Sequence, residues 1–254
     1  DLLKKYGVDT IELGVQSLDD TVLNRSGRGH NRRQVYMASK LIKEYNFNLG
    51  LQMMIGLVGD SKEKAIYTAK EFIKINPYCV RIYPTLVIKD TFLEKMYQKN
   101  SYKPLSLEEA IDISAHLLML FEYHNINVIR VGLQPTENIQ LGKDVVAGPF
   151  HPSFRQLVES YIYRIILEKH LEPLKNNIIE KNMVVKVNNK NISNLVGQKS
   201  SNTNYLLHKY RLKSIKVYSK DIENDIISIS IGEFYDKIYR SKTIEEYLKK
   251  KGII

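Results

Sequence analysis

The chain has 254 residues, of which 43% are hydrophobic and 26% are charged, so it can bury a core and is not a disordered polypeptide. No run approaches the roughly 18 apolar residues that a membrane-spanning helix needs, and no signal peptide is visible, so we expect a cytoplasmic protein with no membrane partner. The single cysteine excludes a disulfide framework. The net charge of +10 favours acidic partners, nucleic acid first, although a lysine-rich solvated surface would explain it equally well.

The beginning of the chain is typical of the end of a helix. It starts at Asp1 rather than at a methionine, and its first residues lead to Gly7, a residue that commonly closes a helix. A strand-like run follows at once. We therefore expect the chain to be a fragment of a longer protein.

Strand-like runs alternate with helical patterns through residues 1–155. The predicted strands and helices are, in chain order, strand Thr10–Gln16, helix Asn31–Glu44, strand Leu49–Ile55, helix Ser61–Ile75, strand Val80–Leu86, helix Ser106–Tyr123 and strand Val128–Leu133. Strands separated by helices in this way are typical of βαβ units, which build a parallel sheet or barrel. Residues 1–155 are therefore predicted to form an α/β domain.

A second, smaller domain is predicted for residues 156–254. Residues 137–152 read as a loop, and a helix is predicted over Ser153–His170. The elements that follow are predicted as strand Met183–Val187, helices Ser193–Val196 and Asn202–Tyr210, strands Ser214–Tyr218 and Ile226–Ile231, and helix Glu233–Lys250. This mixture indicates a helical linker and a small α+β domain.

The four predicted strands of the first domain end in polar or special residues. These are Gln16 and Ser17, the turn from Gly56 to Gly59, the segment Tyr83, Pro84 and Thr85, and the segment from Gln134 to Thr136. Active sites of parallel barrels lie at the carboxyl ends of the strands. Turns begin at strand ends in any protein, but four such ends together favour a site.

Several motifs occur in a fixed order along this domain. They are GVQS at 14–17, GRGH at 27–30, GLVGD at 56–60 and RIYPTLV at 81–87. In this order they resemble the radical S-adenosylmethionine (SAM) superfamily, in particular the Elongator catalytic subunit group and the oxygen-independent coproporphyrinogen oxidase group. The family usually has proline where this chain has Val58. The segment at 81–87 favours the Elongator-like branch.

The resemblance implies a fold, cofactors and a reaction. Residues 1–155 would be the C-terminal part, from strand four onward, of a partial (βα)6 TIM-like barrel. The whole enzyme would bind SAM and a [4Fe–4S] cluster and would cleave SAM reductively to a 5′-deoxyadenosyl radical. It would need a reductant such as ferredoxin or flavodoxin.

The resemblance also implies residues that bind SAM. A guanidinium can hold a carboxylate with two hydrogen bonds, so Arg28 is the candidate for the SAM carboxylate. Gln16, with Ser17 beside it, and Gln52 are candidates for the ribose. Gly56 would let the backbone approach the ligand, and Tyr83, Pro84 and Thr85 would flank the adenine. Each has an ordinary structural alternative, namely a strand cap, a surface charge, a core amide or a turn.

Candidates for the substrate and the cluster are fewer. His151, Glu137 and Arg130 lie near the expected open face of the barrel and are predicted to face the substrate. A cluster of this class needs three closely spaced cysteines, whereas this chain has only Cys79, which leads into an apolar strand. No metal ligand is therefore predicted in this chain. The cluster cysteines are expected upstream of Asp1, and a degenerate relative without a cluster is the alternative.

The tail carries a separate signal for nucleic acid. Residues 197–200 (GQKS) lie between two predicted helices and resemble the loop of a KH domain, with Ser200 in place of its second glycine. Residues 181–220 contain nine Lys or Arg and no Asp or Glu. Gly197, Lys199 and Lys209 are therefore predicted to contact RNA, and a small solvated α+β module is the alternative.

Together these features predict a fragment of a radical SAM enzyme whose substrate could be tRNA. Two alternatives stay open at this point. One is an RNA-binding protein in which the barrel is only a scaffold. The other is a porphyrin-pathway radical SAM enzyme, which the GVQS motif alone would also fit.

Overall fold

The computed structural model describes residues 2–134, 139, 140 and 142–254. They form two compact units, Asp1–Arg155 and Gln156–Ile254. Among the residues that the structure describes, no helix combines the length and apolarity that a bilayer crossing requires.

The first unit is built on a parallel sheet. Its strands are β1 (Thr10–Gln16), β2 (Asn48–Ile55), β3 (Cys79–Pro84), β4 (Val87–Ile88), β5 (Asn127–Val131) and β6 (Val145–Ala147). The main sheet has the order β1-β2-β3-β5, and every neighbouring pair is parallel. β4 and β6 form a separate antiparallel pair. The predicted α/β class with a parallel sheet is confirmed.

Helices connect these strands. They are α1 (Leu2–Lys5), α2 (Asp20–Arg25), α3 (Arg32–Glu44), α4 (Lys62–Ile75), α5 (Phe92–Gln98), α6 (Leu107–Tyr123) and α7 (Phe154–Leu171), which continues into the second unit. Side chains of Asn31, Ser61 and Ser106 cap α3, α4 and α6 by accepting hydrogen bonds from backbone N–H groups of the first turn. At α3 and α6, Gln34 and Glu109 complete a reciprocal capping box.

The core of the unit lies on one face of the sheet. Alternate residues of β2, Leu49, Leu51, Met53 and Ile55, are almost fully buried, since α3, α4 and α6 pack against this strand. The rings of Phe72 on α4 and Phe121 on α6 lie 6.4 Å apart between centroids. The intervening residues of β2 point to the opposite face. That face is less buried and carries polar side chains.

Some boundaries differ from the prediction. β3 ends at Pro84 instead of Leu86, because Thr85 donates its backbone N–H to Ile55 and the chain turns into β4. β6 lies inside the predicted loop 137–152, where it pairs with β4. Helices α2 and α5 were not predicted. Both are short, so they carry little helical periodicity in the sequence.

The second unit contains a four-stranded mixed sheet. Its strands are β7 (Asn182–Val187), β8 (Ser214–Ser219), β9 (Ile226–Ile231) and β10 (Phe234–Tyr239), in the order β10-β9-β7-β8. β7 and β8 are parallel, and the other two pairs are antiparallel. The α-helices after β7 are α8 (Ile192–Val196), α9 (Ser201–Lys209) and α10 (Arg240–Lys250), and 3-10 turns occupy Glu172–Asn177, Asn189–Asn191 and Gln198–Ser200.

The prediction of one helix over Glu233–Lys250 was wrong in its first part. Phe234–Tyr239 is strand β10, and the helix begins only at Arg240. Gly232 and Glu233 connect β9 to β10, so that Phe234 pairs with Ile231 in an antiparallel hairpin. Ladder hydrogen bonds to β9 therefore override the helical interpretation of this segment.

Gly148 brings the loop after β6 against the turn that follows β3. Its φ is +114°, and a Cβ built there would lie 3.1 Å from the Thr85 carbonyl oxygen and 3.2 Å from the Leu86 Cα. Backbone atoms cannot move aside as a flexible side chain can. The close approach of this loop to the strand end therefore requires glycine.

We expect Gly148→Ala to lower the free energy of unfolding by at least about 1 kcal/mol more than Gly142→Ala does. Gly142 has a φ of +83° with no atom within 4 Å of a built Cβ, so it controls for the cost of the left-handed backbone alone. Urea denaturation of the two variants measures the difference. Equal losses would contradict the close approach.

Candidate functional site

The carboxyl ends of β1, β2 and β3 lie along one edge of the parallel sheet. Gln16 ends β1 at a bulge and has a φ of +67°, a left-handed conformation that is uncommon for a glutamine. Its side chain folds back over Gly14, since a Cβ on that glycine would lie 2.9 Å from the Gln16 Nε2. Strained backbone of this kind clusters at ligand sites, which is consistent with the predicted role of Gln16.

A polar network covers the face of the sheet opposite the helices. One Glu12 carboxylate oxygen accepts from the Arg81 Nη2 at 2.7 Å, and the other oxygen lies 2.6 Å from the Arg81 Nε in an ion-pair contact. It also accepts from Gln52 Nε2 at 3.0 Å. Gly50 leaves room for this carboxylate, because a Cβ there would lie 2.6 Å from the Glu12 Cγ.

Two further residues extend the network. Arg81 donates to the Tyr83 hydroxyl at 3.3 Å, and Arg130 lies beside Arg81 in the strand register. The hydrogen bond from Arg81 lowers the pKa of the Glu12 carboxyl and outweighs the opposing effect of burial. The predicted residues Gln52, Tyr83 and Arg130 therefore share one polar surface with Glu12 and Arg81.

Arg28 has a different environment. Its Nη2 lies 2.9 Å from the Met54 sulfur, a weak acceptor, and its buried Nε makes no hydrogen bond. Among the described residues no carboxylate forms an ion pair with this guanidinium. Burial lowers the pKa of Arg28, since the charge is partly removed from water without a counter-charge. An anionic group of a ligand would satisfy it.

The Arg28 side chain lines a cavity of about 570 Å³. The strand ends contribute Met54, Leu57, Thr85 and Leu86 to the wall, and α5 contributes apolar side chains such as Phe92. Ligand sites of roughly 300–1,000 Å³ with mostly apolar walls and a few polar groups accommodate cofactor-sized molecules. The cavity and the unpaired guanidinium together fit a nucleoside-like ligand that carries a carboxylate.

The turn after β2 is held on both sides of Gly56. Asp60 accepts from the Gly56 N–H at 2.8 Å and from the Ser61 N–H at 2.9 Å. The Tyr102 hydroxyl donates to the Gly56 carbonyl at 2.6 Å. Burial raises the pKa of Asp60 to about 6, because it outweighs these two N–H bonds, and burial also raises the pKa of Tyr102 to about 12.

Other predicted residues have structural contacts of their own. The buried Ser17 hydroxyl lies 3.3 Å from the Thr68 hydroxyl on α4 and accepts from the Asp19 N–H. Pro84 is buried beside Ile55, and the Thr85 hydroxyl donates to the Ile55 carbonyl at 2.8 Å. These contacts fix the strand ends, and the predicted cofactor contacts of the three residues stay predictions.

The predicted substrate residues are not all in one place. His151 accepts from the Ser153 N–H at 3.0 Å with its Nδ1, just before α7 begins. Arg130 donates to Gln134 at 2.9 Å from the polar face of the sheet. Glu137, together with Pro135 and Thr136 of the predicted strand end, lies outside the described residues.

Cys79 cannot hold a cluster. Its thiol is buried in β3 near Gly50, and burial raises its pKa, which disfavours the thiolate that a metal needs. The described residues contain no group of three or more His, Cys, Asp or Glu that could hold a metal ion. The donor set of this chain does not fit a [4Fe–4S] cluster.

The predicted RNA loop joins α8 to α9. Gly197, Lys199 and Ser200 all have positive φ angles. Lys209, at the end of α9, is paired with Glu168 at 2.6 Å and lies 3.8 Å from Glu172, so its charge is largely compensated. Contacts of Gly197, Lys199 and Lys209 with nucleic acid stay predictions.

Four residues at the candidate site were not predicted from the sequence, namely Glu12, Arg81, Asp60 and Tyr102. The sequence did contain a signal for Glu12 and Arg81. Each is a charged residue within an otherwise apolar predicted strand, and a partly buried charge needs a polar partner. The contact between Tyr102 and Gly56 spans 46 residues, and no local pattern indicates it.

We expect a double-mutant cycle of Glu12→Gln and Arg81→Gln to give a coupling free energy of about 1–2 kcal/mol. The pair combines a hydrogen bond at 2.7 Å with an ion-pair contact at 2.6 Å, and both side chains are about three-quarters buried. Lys40 and Glu44, which are mostly exposed and 3.6 Å apart on α3, provide the control pair, with an expected coupling below about 0.5 kcal/mol. Urea denaturation measures both cycles, and equal couplings would argue against the network.

Asp60 is expected to make stability depend on pH. Its folded-state pKa of about 6 exceeds the ordinary 3.8, so its contribution is fully present below about pH 4 and is lost as the pH rises through 6. The free energy of unfolding of the native chain, minus that of Asp60→Asn, should fall by about 2–3 kcal/mol over this range. Denaturation at a series of pH values tests this, and a flat difference would contradict it.

Comparisons with known proteins show which family most of the chain resembles. The family model described as the radical SAM superfamily matches residues 1–72, and the one described as the radical SAM C-terminal domain matches residues 77–164. The solved structure of the archaeal Elp3 of Methanocaldococcus infernus with an N-terminal deletion matches at a TM-score of 0.57 and 28% identity. That match covers 63% of this chain and 37% of the other.

Curated relatives point the same way. The tRNA uridine(34) acetyltransferase of Methanocaldococcus infernus is 35% identical over 118 residues, which are 44% of this chain and 22% of the relative. Elongator complex protein 3 of Dictyostelium discoideum is 34% identical over 119 residues, which are 45% of this chain and 21% of the relative. The chain thus aligns with about a fifth of the length of these relatives. The two radical SAM models together match most of the chain, which belongs to the radical SAM superfamily, and these relatives of it are Elongator-like proteins.

Proposed function

We propose that the protein that contains this chain is a radical SAM enzyme that modifies tRNA, and that this chain forms most of the SAM site. The observation that carries the proposal is Arg28, a half-buried guanidinium with no carboxylate partner among the described residues, on the wall of a cavity of about 570 Å³ at the strand ends. SAM carries a carboxylate that would satisfy this charge.

Each part of SAM has a proposed partner. Arg28 holds the carboxylate, and Gln16, with Ser17 beside it, and Gln52 serve the ribose hydroxyls. The turn at Gly56, which Asp60 and Tyr102 fix, brings backbone close to the ligand. The proposed adenine contacts are Tyr83, Pro84 and Thr85. The apolar wall excludes water, which strengthens the interaction of Arg28 with a carboxylate.

The chemistry comes from groups outside this chain. When bound, SAM and a [4Fe–4S] cluster held elsewhere in the protein would supply the radical chemistry that the family implies. This chain has one cysteine, so in the proposed enzyme the three cluster ligands come from another part of the protein. The proposal therefore includes a reductant such as ferredoxin or flavodoxin and a reducing, cytoplasmic setting.

The names of the relatives support tRNA as the substrate. Two archaeal relatives and one from Dehalococcoides mccartyi are named tRNA uridine(34) acetyltransferase. These names favour tRNA over a porphyrin precursor. The proposed substrate contacts are His151, Arg130 and Glu137, and the loop residues Gly197 and Lys199, with Lys209, are the proposed RNA contacts from the sequence.

We expect Arg28→Gln to weaken SAM binding to this chain by at least tenfold, and Arg28→Lys to restore only part of it, since an ammonium lacks the two-pronged geometry. Isothermal titration calorimetry measures the affinity without requiring a cluster. Arg33→Gln, on the exposed side of α3, removes the same charge away from the cavity and should bind SAM normally. Equal binding by all the variants would contradict the proposed site.

The reaction itself requires the cluster ligands. In a protein that contains this chain together with a three-cysteine cluster loop, reconstituted anaerobically with iron and sulfide, we expect reduction to yield 5′-deoxyadenosine from SAM. A protein with a spectroscopically verified cluster that forms none would overturn the enzymatic proposal. The scaffold alternative, RNA binding without catalysis, would then be preferred.

A further inference from the structure

The two faces of the second unit's sheet differ in burial and in side-chain chemistry. Met183, Val185 and Val187 of β7 point to the buried side, together with the isoleucines at 227, 229 and 231 of β9. Side chains alternate along a strand, so the intervening residues point to the other side. We call this other side the open face. It is defined by residues 182, 184 and 186 of β7, residues 214, 216 and 218 of β8, residues 226, 228 and 230 of β9, and residues 235, 237 and 239 of β10.

The strand register assembles the open face into rows. Lys186 of β7 pairs with Tyr218 of β8 on one side and with Ser228 of β9 on the other. Ser228 in turn pairs with Lys237 of β10. The next row contains Lys216, Val184, Ser230 and Tyr235 in the same way. Serines thus occupy the centre of the face, where Ser228 is almost fully buried and Ser230 is half-buried, and the exposed longer side chains lie on both sides of them.

Three tyrosines stand out from this face. Tyr218, Tyr235 and Tyr239 are 49%, 64% and 45% exposed. A single exposed ring on a protein surface needs no explanation, whereas three exposed rings on one face of a sheet indicate a binding surface. Tyr235 and Tyr239 lie on the same strand four residues apart, which is about 13 Å along β10. The Lys237 ammonium lies 5.6 Å from the centre of the Tyr239 ring.

The charge of the open face has one sign. Lys186, Lys216 and Lys237 are exposed, and none of the twelve positions is Asp or Glu. None of these lysines forms an ion pair with the described residues, in contrast to Lys209. Residues 156–254 contain 18 Lys or Arg and 11 Asp or Glu, so they carry +7 of the chain's net charge of +10.

We propose that the open face binds single-stranded RNA, with bases stacked on Tyr218, Tyr235 and Tyr239 and phosphates held by Lys186, Lys216 and Lys237. Exposed rings on a sheet, separated by unpaired lysines, match the chemistry of unstacked bases on a phosphate backbone. A duplex hides the faces of its bases and cannot stack on the rings. The lysines alone would attract any polyanion, so the rings decide in favour of RNA with accessible bases.

This inference deepens the proposed function, because it gives the proposed tRNA substrate a docking surface. It differs from the loop prediction, which relies on Lys199 between α8 and α9. RNA binding is measured without SAM or a cluster. Loss of RNA binding and loss of 5′-deoxyadenosine formation are therefore separate results.

The test measures binding of a fluorescent 12-nucleotide single-stranded RNA to the 254-residue chain by anisotropy at several salt concentrations. We expect Tyr235→Ala and Tyr239→Ala each to weaken binding by about tenfold, and Tyr235→Phe and Tyr239→Phe to bind normally, since stacking needs the ring and not the hydroxyl. The triple variant Lys186→Gln, Lys216→Gln and Lys237→Gln should reduce the slope of log affinity against log salt by about two.

A second triple variant, Lys190→Gln, Lys213→Gln and Lys250→Gln, removes the same charge from exposed positions outside both the open face and the loop at residues 197–200. It should keep at least half of the affinity. An equal or larger loss in this control would overturn the inference, as would unchanged binding by the tyrosine-to-alanine variants. Equal affinity for the matched duplex, or full competition by polyglutamate of the same charge, would also overturn it.

Discussion

The parallel hydrogen-bonded register of β1, β2 and β3 is the constraint on which the candidate site depends. Because the strands run in the same direction, Gln16, Gly56 and Thr85, from separate parts of the sequence, end at one edge of the sheet. The same register places Glu12 across Gly50 from Arg81 on the polar face of the sheet. The edge with the candidate site and the polar face of the sheet thus both follow from the pairing of β1, β2 and β3.

The two charged groups of this region illustrate different electrostatic solutions. Arg81 is paired within the chain, since its Nη2 donates to one Glu12 oxygen and its Nε lies 2.6 Å from the other. Arg28 has only a methionine sulfur and an unbonded Nε, which leaves its charge available to a ligand. A satisfied pair stabilises the sheet, whereas an unsatisfied guanidinium costs stability that a bound carboxylate can return. This contrast in carboxylate partners is the reason why Arg28, and not Arg81, is the proposed ligand-binding arginine.

Much of the fold could be predicted from local patterns. The strands near residues 10–16 and 49–55 and the helices capped by Asn31, Ser61 and Ser106 follow from alternation, period and capping residues. The error at Phe234–Tyr239 arose because the segment lies next to a true helix and forms a strand only through pairing with β9. The residues predicted to bind SAM follow from family motifs, whereas Glu12 and Tyr102 could be found only from contacts between distant segments.

The sequence by itself determined the α/β alternation, the excess of positive charge in the tail, the single cysteine and the order of the family motifs, because each depends on neighbouring residues or on composition. Only the tertiary structure decided that Arg28 lines a cavity without a carboxylate partner among the described residues. It also decided that Glu168 neutralises Lys209, and that three tyrosines and three lysines share the open face. Those outcomes depend on which strands and helices lie side by side. Strand register and burial arise from long-range packing, which no local pattern in the chain specifies.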